Sequence, residues 1–118
     1  MSNQNNNKTK KEIVEVCKLM ANKNLVAGTE GNVSARDKNG NIFVTPSGFN
    51  KGNITEDMLV ELDIEGNIIS GDLKPTSEKY MHLGFYKQRS KAMGVVHGHP
   101  IYMTAFAASG EDLPDKIL

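Results

Sequence analysis

The stretch GVVHGHP, residues 94–100, sets two histidines behind a β-branched apolar run, with one glycine between them. Successive side chains of a strand point to opposite faces, so His97 and His99 project to the same side, their Cα atoms roughly 6.6 Å apart. Two neutral imidazoles so placed can converge on one metal ion, and Pro100 stops the strand behind them. Two donors do not complete a zinc site, which takes three protein ligands when catalytic and four when structural. The remaining donors must come from elsewhere in the fold. The plainer reading is a hydrogen-bonded pair at a strand end. The i, i+2 spacing, in a chain with 3 histidines among 118 residues, is what favours metal.

Three further segments carry groups suited to an anion. Gly31-Asn32 and Ser47-Gly48 fall on turns, where backbone N–H groups, the Asn amide and the Ser hydroxyl can donate, although these residue types also serve turns for backbone reasons alone. Thr76 and Ser77 sit at the predicted start of a helix, whose unpaired N–H groups and dipole favour a phosphate. Glu78 follows in the first turn, where a carboxylate complements the dipole. Beside a divalent metal it would stay ionised and could move protons on a bound substrate. His82 lies four residues further along the same helix face and reads as a packing residue. Lys51 could add charge to an anion pocket, but reads as a solvated lysine. Cys17, the only cysteine, falls on an apolar helix face and reads as a small core residue rather than a nucleophile.

These residues need a scaffold, and the local patterns supply one. Ile13, Val16, Cys17 and Met20 recur at helical spacing behind a Thr9–Glu12 capping box, which predicts a helix over about 10–23. The Asn-rich residues 1–8 read as a disordered tail. GNVSARDKNGNIFVTPSG predicts a hairpin about Asn39-Gly40, a pair suited to positive φ. ITEDMLVELDIEGNIIS predicts two more strands, near 58–63 and 67–70, joined at Glu65-Gly66. A helix capped by Thr76 or Ser77 runs to about Arg89, a strand covers MGVVHGH, and IYMTAFAAS reads as a third helix closed by Gly110. Hairpins mixed with amphipathic helices imply a largely antiparallel sheet covered by helices.

Composition narrows the partners. Lys plus Arg and Asp plus Glu number 14 each, a formal net charge of zero, so the clustered cations that nucleic acid or an anionic membrane would need are not in evidence. No apolar run approaches the ~18 residues that span a bilayer, and MSNQNNNKTKK lacks the hydrophobic segment of a signal peptide, so a cytoplasmic location is expected. The length allows one domain.

Taken in order, GTEGNVSAR, VTPSGFNK, LKPTSEKYMHLGFY and VVHGHP resemble the class II aldolase and adducin family, across about residues 10–110. The resemblance implies an α/β fold, a three-layer α/β/α arrangement with a central, mostly antiparallel sheet over 9–118, incomplete and apparently truncated at its C-terminus. It implies zinc held by His97 and His99, with a third histidine from a later NHG-like segment that these residues do not include. Glu78 would be the acid/base residue, and Gly31, Asn32, Ser47, Gly48, Thr76 and Ser77 the phosphate and substrate pocket. Glu rather than Asp at 78 favours an aldolase over a sugar-phosphate 4-epimerase. The implied reaction cleaves a ketose phosphate, such as L-fuculose 1-phosphate, into dihydroxyacetone phosphate and an aldehyde, in a homotetramer. The alternatives are a 4-epimerase, a methylthioribulose-phosphate dehydratase, and a non-catalytic adducin-like module.

Overall fold

Ile13, Val16, Cys17 and Met20 recur at i, i+3, i+4 and i+7 and bury one face of helix α1, Ser2–Asn22, each at 2% exposure or less. Burial of Ile13, Val16 and Met20 contributes about 1.5–3 kcal/mol per side chain. The helix ends in a Schellman arrangement. Asn24 takes φ +57°, its N–H reaches the Ala21 carbonyl (3.2 Å), and the Leu25 N–H reaches that of Met20 (2.9 Å).

A computed structural model describes residues 2–26, 28–98 and 102–106 of the chain. In it α1 begins at Ser2, so the stretch read as a disordered tail continues the helix, and Thr9 lies inside it rather than capping it. Extending an existing helix closes one hydrogen bond per residue with no new nucleus.

Among the described residues the sheet has six strands: β1 (Asn32–Arg36), β2 (Ile42–Val44), β3 (Val60–Leu62), β4 (Ile68–Ser70), β5 (Gly94–Gly98) and β6 (Tyr102–Phe106). They lie in the order β4-β3-β2-β1-β5-β6, and every neighbouring pair is antiparallel. The β1–β2 and β3–β4 turns share one device, Asp-x-x-Gly-Asn. Asp37 Oδ1 accepts from the N–H groups of Asn39 and Asn41, and Asp63 Oδ1 from those of Glu65 and Asn67. Gly40 (φ +87°) and Gly66 (φ +95°) alone take the left-handed step, so Asn39 does not share the positive φ expected of the pair.

Alternation along the strands sorts two apolar layers. Val33, Phe43 and Val96 face α1, whereas Ile42, Val44, Val60, Leu62 and Val95 pack with Leu83 and Tyr86 of helix α2, Lys79–Gln88. The architecture is three-layered, with one α-helix on each face among the described residues. Arg36 pins α2 down: its Nη2 donates to the Tyr86 carbonyl (2.9 Å), and its guanidinium lies 5.0 Å from the Tyr86 ring centroid.

Residues 102–106, expected within a third helix, form β6, paired with β5 from Gly94↔Phe106 to Gly98↔Tyr102. A short apolar run carries no decisive period, and its Tyr, Thr and Phe suit a pleated surface beside an open strand edge. The proposed helix end at Gly110 lies outside the described residues, as do His99 and Pro100.

Candidate functional site

Asn32 and His97 stand directly opposite each other in the β1–β5 register, so their side chains share the face that α2 covers. Gly31 precedes them at φ +85°. A Cβ there would lie 2.3 Å from Val26 Cγ1 and 3.1 Å from the His97 carbonyl oxygen, so only glycine lets the chain pass. His97 is half-buried, and its Nδ1 is a buried ring nitrogen with no hydrogen-bond partner among the described residues.

Thr45 joins this corner to the other candidate segments. Its N–H donates to the Val33 carbonyl (3.0 Å), and its Oγ1 accepts the Val33 N–H (3.1 Å). Its own carbonyl accepts the Thr76 N–H (3.0 Å), and the Ser47 N–H donates to the Lys74 carbonyl (2.8 Å), across a Pro46–Pro75 bridge. Residues 31–33, 45–48 and 74–77 are thereby tied together. Gly48 takes φ +82° with open space where a Cβ would stand. Thr45 was not singled out from sequence, and its place between a strand end and a proline gives little local signal.

Thr76 is buried and its Oγ1 accepts the Glu78 N–H (3.3 Å), while Ser77 and Glu78 are exposed. Glu78 is the N-cap of α2 rather than a first-turn residue, because the helix starts at Lys79. One turn on, His82 is fully buried; its Nε2 bonds Asn32 Oδ1 and its Nδ1 meets Ser34 Oγ at 2.6 Å. Ser34 Oγ lies 2.7 Å from the Tyr86 hydroxyl. Burial, reinforced by the nearby His97, depresses the His82 pKa to about 3, which keeps the ring neutral. His82 is thus more than a packing residue, since it links α2 to Asn32.

Lys51, read from sequence as solvated, is instead 1% exposed. Its Nζ donates to the carbonyls of Phe49 (2.8 Å) and Thr29 (3.3 Å), joining the two glycine-bearing turns from beneath. Its methylenes fill core space while its ammonium finds carbonyls, and burial lowers its pKa. Cys17, by contrast, is the buried core thiol expected, with burial pushing its pKa up to about 12.

The fit of a metal rests on His97. An unpartnered imidazole nitrogen is the kind of donor that zinc takes, and leaving it dry and unpaired would be costly. Among the described residues no three His, Cys, Asp or Glu side chains gather into a metal cluster.

The three-layer antiparallel fold thus gathers turn amides and a helix start at one corner, beside a strand-borne imidazole. The chain belongs to the class II aldolase and adducin family, since the family model for the "Class II Aldolase and Adducin N-terminal domain" matches residues 11–117. It is 42% identical over 102 residues to L-fuculose phosphate aldolase of Methanococcus maripaludis, covering 86% of this chain and 55% of that protein. It is 37% identical over 107 residues to a 5-methylthioribulose-1-phosphate/5-deoxyribulose-1-phosphate aldolase of Escherichia coli, covering 91% and 49%. Among solved structures an L-fuculose 1-phosphate aldolase superimposes with TM-score 0.73 at 35% identity, over 78% of this chain and 44% of that one. The chain therefore spans about half the length of the relatives it matches.

Proposed function

We propose that these residues form the phosphate- and metal-binding half of a class II aldolase site that cleaves a ketose 1-phosphate. The carrying observation is the tie through Thr45, which sets turns 31–32 and 47–48 and helix start 76–77 around the Asn32–His97 pair. In this reading Gly31, Asn32, Ser47, Gly48, Thr76 and Ser77 bind the phosphate and fix the carbon chain relative to His97 and Glu78. Thr76 Oγ1 already accepts a backbone proton, so its own hydroxyl proton remains to be donated. His97 and His99 would hold zinc through imidazole nitrogens. The ion, when bound, supplies Lewis acidity at the ketose carbonyl.

Cleavage of C3–C4 leaves its electron pair on C3, and the C4 hydroxyl gives up its proton to the Glu78 carboxylate as the aldehyde forms. Glu78 returns a proton to C3 to release dihydroxyacetone phosphate. Its exposed N-cap position, one turn before His82, supports access to a bound chain. Relatives named for L-fuculose 1-phosphate and for 5-deoxyribulose 1-phosphate support the 1-phosphate class. A relative named 3-oxo-tetronate 4-phosphate decarboxylase marks the breadth of chemistry among the matches. A homotetramer in the cytoplasm belongs to the same proposal; no helix among the described residues is long and apolar enough to cross a membrane.

The test is a panel of ketose 1-phosphates incubated with zinc-loaded protein, reading dihydroxyacetone phosphate. Slow, metal-dependent release that falls about 100-fold in Glu78→Gln is expected. Binding without any release would overturn the catalytic reading in favour of a non-catalytic module.

A further inference from the structure

We infer that His82 is a positioning residue that holds the Asn32 carboxamide in one orientation, oxygen inward and both N–H groups presented to the anion. This inference rests on the phosphate reading above for the identity of the anion, though not for the orientation itself.

The argument is a count of protons along a buried chain. A neutral imidazole has one N–H and one bare nitrogen. With Asn32 Oδ1 against Nε2, that nitrogen must carry the proton, and Nδ1 must accept. Among the described residues the partner of Nδ1 is Ser34 Oγ, at 2.6 Å, which therefore donates its single proton there. Ser34 Oγ then accepts from the Tyr86 hydroxyl at 2.7 Å. Each of these side-chain protons has an acceptor, and the chain runs one way, from Tyr86 through Ser34 and His82 to Asn32.

Reversing the amide breaks this count. Asn32 would donate to Nε2, Nδ1–H to Ser34, and Ser34 to Tyr86. The phenol oxygen would then accept from Ser34, and among the described residues its own proton would have no acceptor, at a residue 2% exposed. A buried donor left unmade is the costlier arrangement. Tyr86, deep in the α2 layer, thus sets which end of Asn32 faces out, and both amide N–H groups are left for a partner other than His82. Asn32 is itself 6% exposed, so its amide cannot turn freely into solvent.

The experiment has two arms on the 118-residue protein. Long-range ¹⁵N–¹H correlation of the His82 ring at neutral pH should show a protonated Nε2 and a bare Nδ1. The opposite tautomer would overturn the inference. In the second arm inorganic phosphate is titrated while the Asn32 side-chain amide is followed by NMR, in wild type, His82→Gln and His82→Leu, each first checked for a folded spectrum. Gln keeps a donor for Asn32 Oδ1, so its affinity should stay within about threefold of wild type, whereas Leu should weaken binding about tenfold. Equal affinity in all three folded proteins, or equal loss in both variants, would overturn it. If wild type does not bind phosphate, the anion reading fails, and the ring tautomer still decides the orientation. Should a variant not fold, the wild-type tautomer decides likewise.

Discussion

Burial holds the His82 imidazole at about 3, far below its ordinary 6.5, with the nearby His97 adding to the effect. The unfolded chain takes up a proton there near the ordinary value, whereas the folded chain does not until about 3. Between these limits acidification therefore favours unfolding. Urea stability should fall by about 1.4 kcal/mol per pH unit from this residue between about pH 6 and pH 4. The wild-type curve minus the His82→Gln curve isolates that slope, and parallel curves would contradict it. Lys51 offers a second case. Its Nζ serves the carbonyls of Thr29 and Phe49, so Lys51→Ala leaves both without that donor and opens a cavity. We expect a loss of about 3 kcal/mol in urea unfolding; a change under 0.5 kcal/mol would mean that those contacts carry little. Neither role was legible in the sequence. A lysine behind a turn is ordinarily solvated, and only the approach of residues 29 and 49 gives this one carbonyls to donate to.

At the scale of elements, two glycines should answer alanine in opposite ways. Gly84 lies inside α2 with open space where a Cβ would stand, so Gly84→Ala should stabilise the protein by about 0.5–1 kcal/mol. Gly31→Ala meets Val26 and the His97 carbonyl at a positive φ and should cost about 2 kcal/mol or more, weakening phosphate binding with it. Thermal unfolding of both variants checks the pair, and a stabilised Gly31→Ala would contradict the geometry. Elements with strong local signals were readable: α1 from its apolar spacing, the two Asp-x-x-Gly-Asn hairpins, and the strand GVVHG. β6 was misread because a five-residue apolar run has no period to separate strand from helix, and the open edge of β5 decides the matter. The Thr9–Glu12 box matched a start signal, but the helix propagates past it to Ser2.

In the whole molecule, the sheet separates two apolar layers, and polar residues enter the α2 layer where β1 places Asn32, Ser34 and Arg36, and β5 places His97, on the face that carries His82 and Tyr86. The candidate residues of turns and helix start were legible by type, because glycine, serine, threonine and asparagine mark both turns and anion sites. What the sequence did not disclose was their assembly. The Thr45 tie and the Ser34–His82–Tyr86 contacts join residues 12 to 52 positions apart, a separation no local pattern encodes. Those long-range ties make one corner from four segments, and the unpartnered Nδ1 of His97 lies in it. The most direct test of that corner is calorimetric titration of zinc into the metal-free protein, alongside His97→Ala. One ion bound per chain, lost in the variant while its fold is retained, is the result expected. Absence of zinc binding, or binding unchanged in His97→Ala, would contradict the assignment of this corner as a metal site.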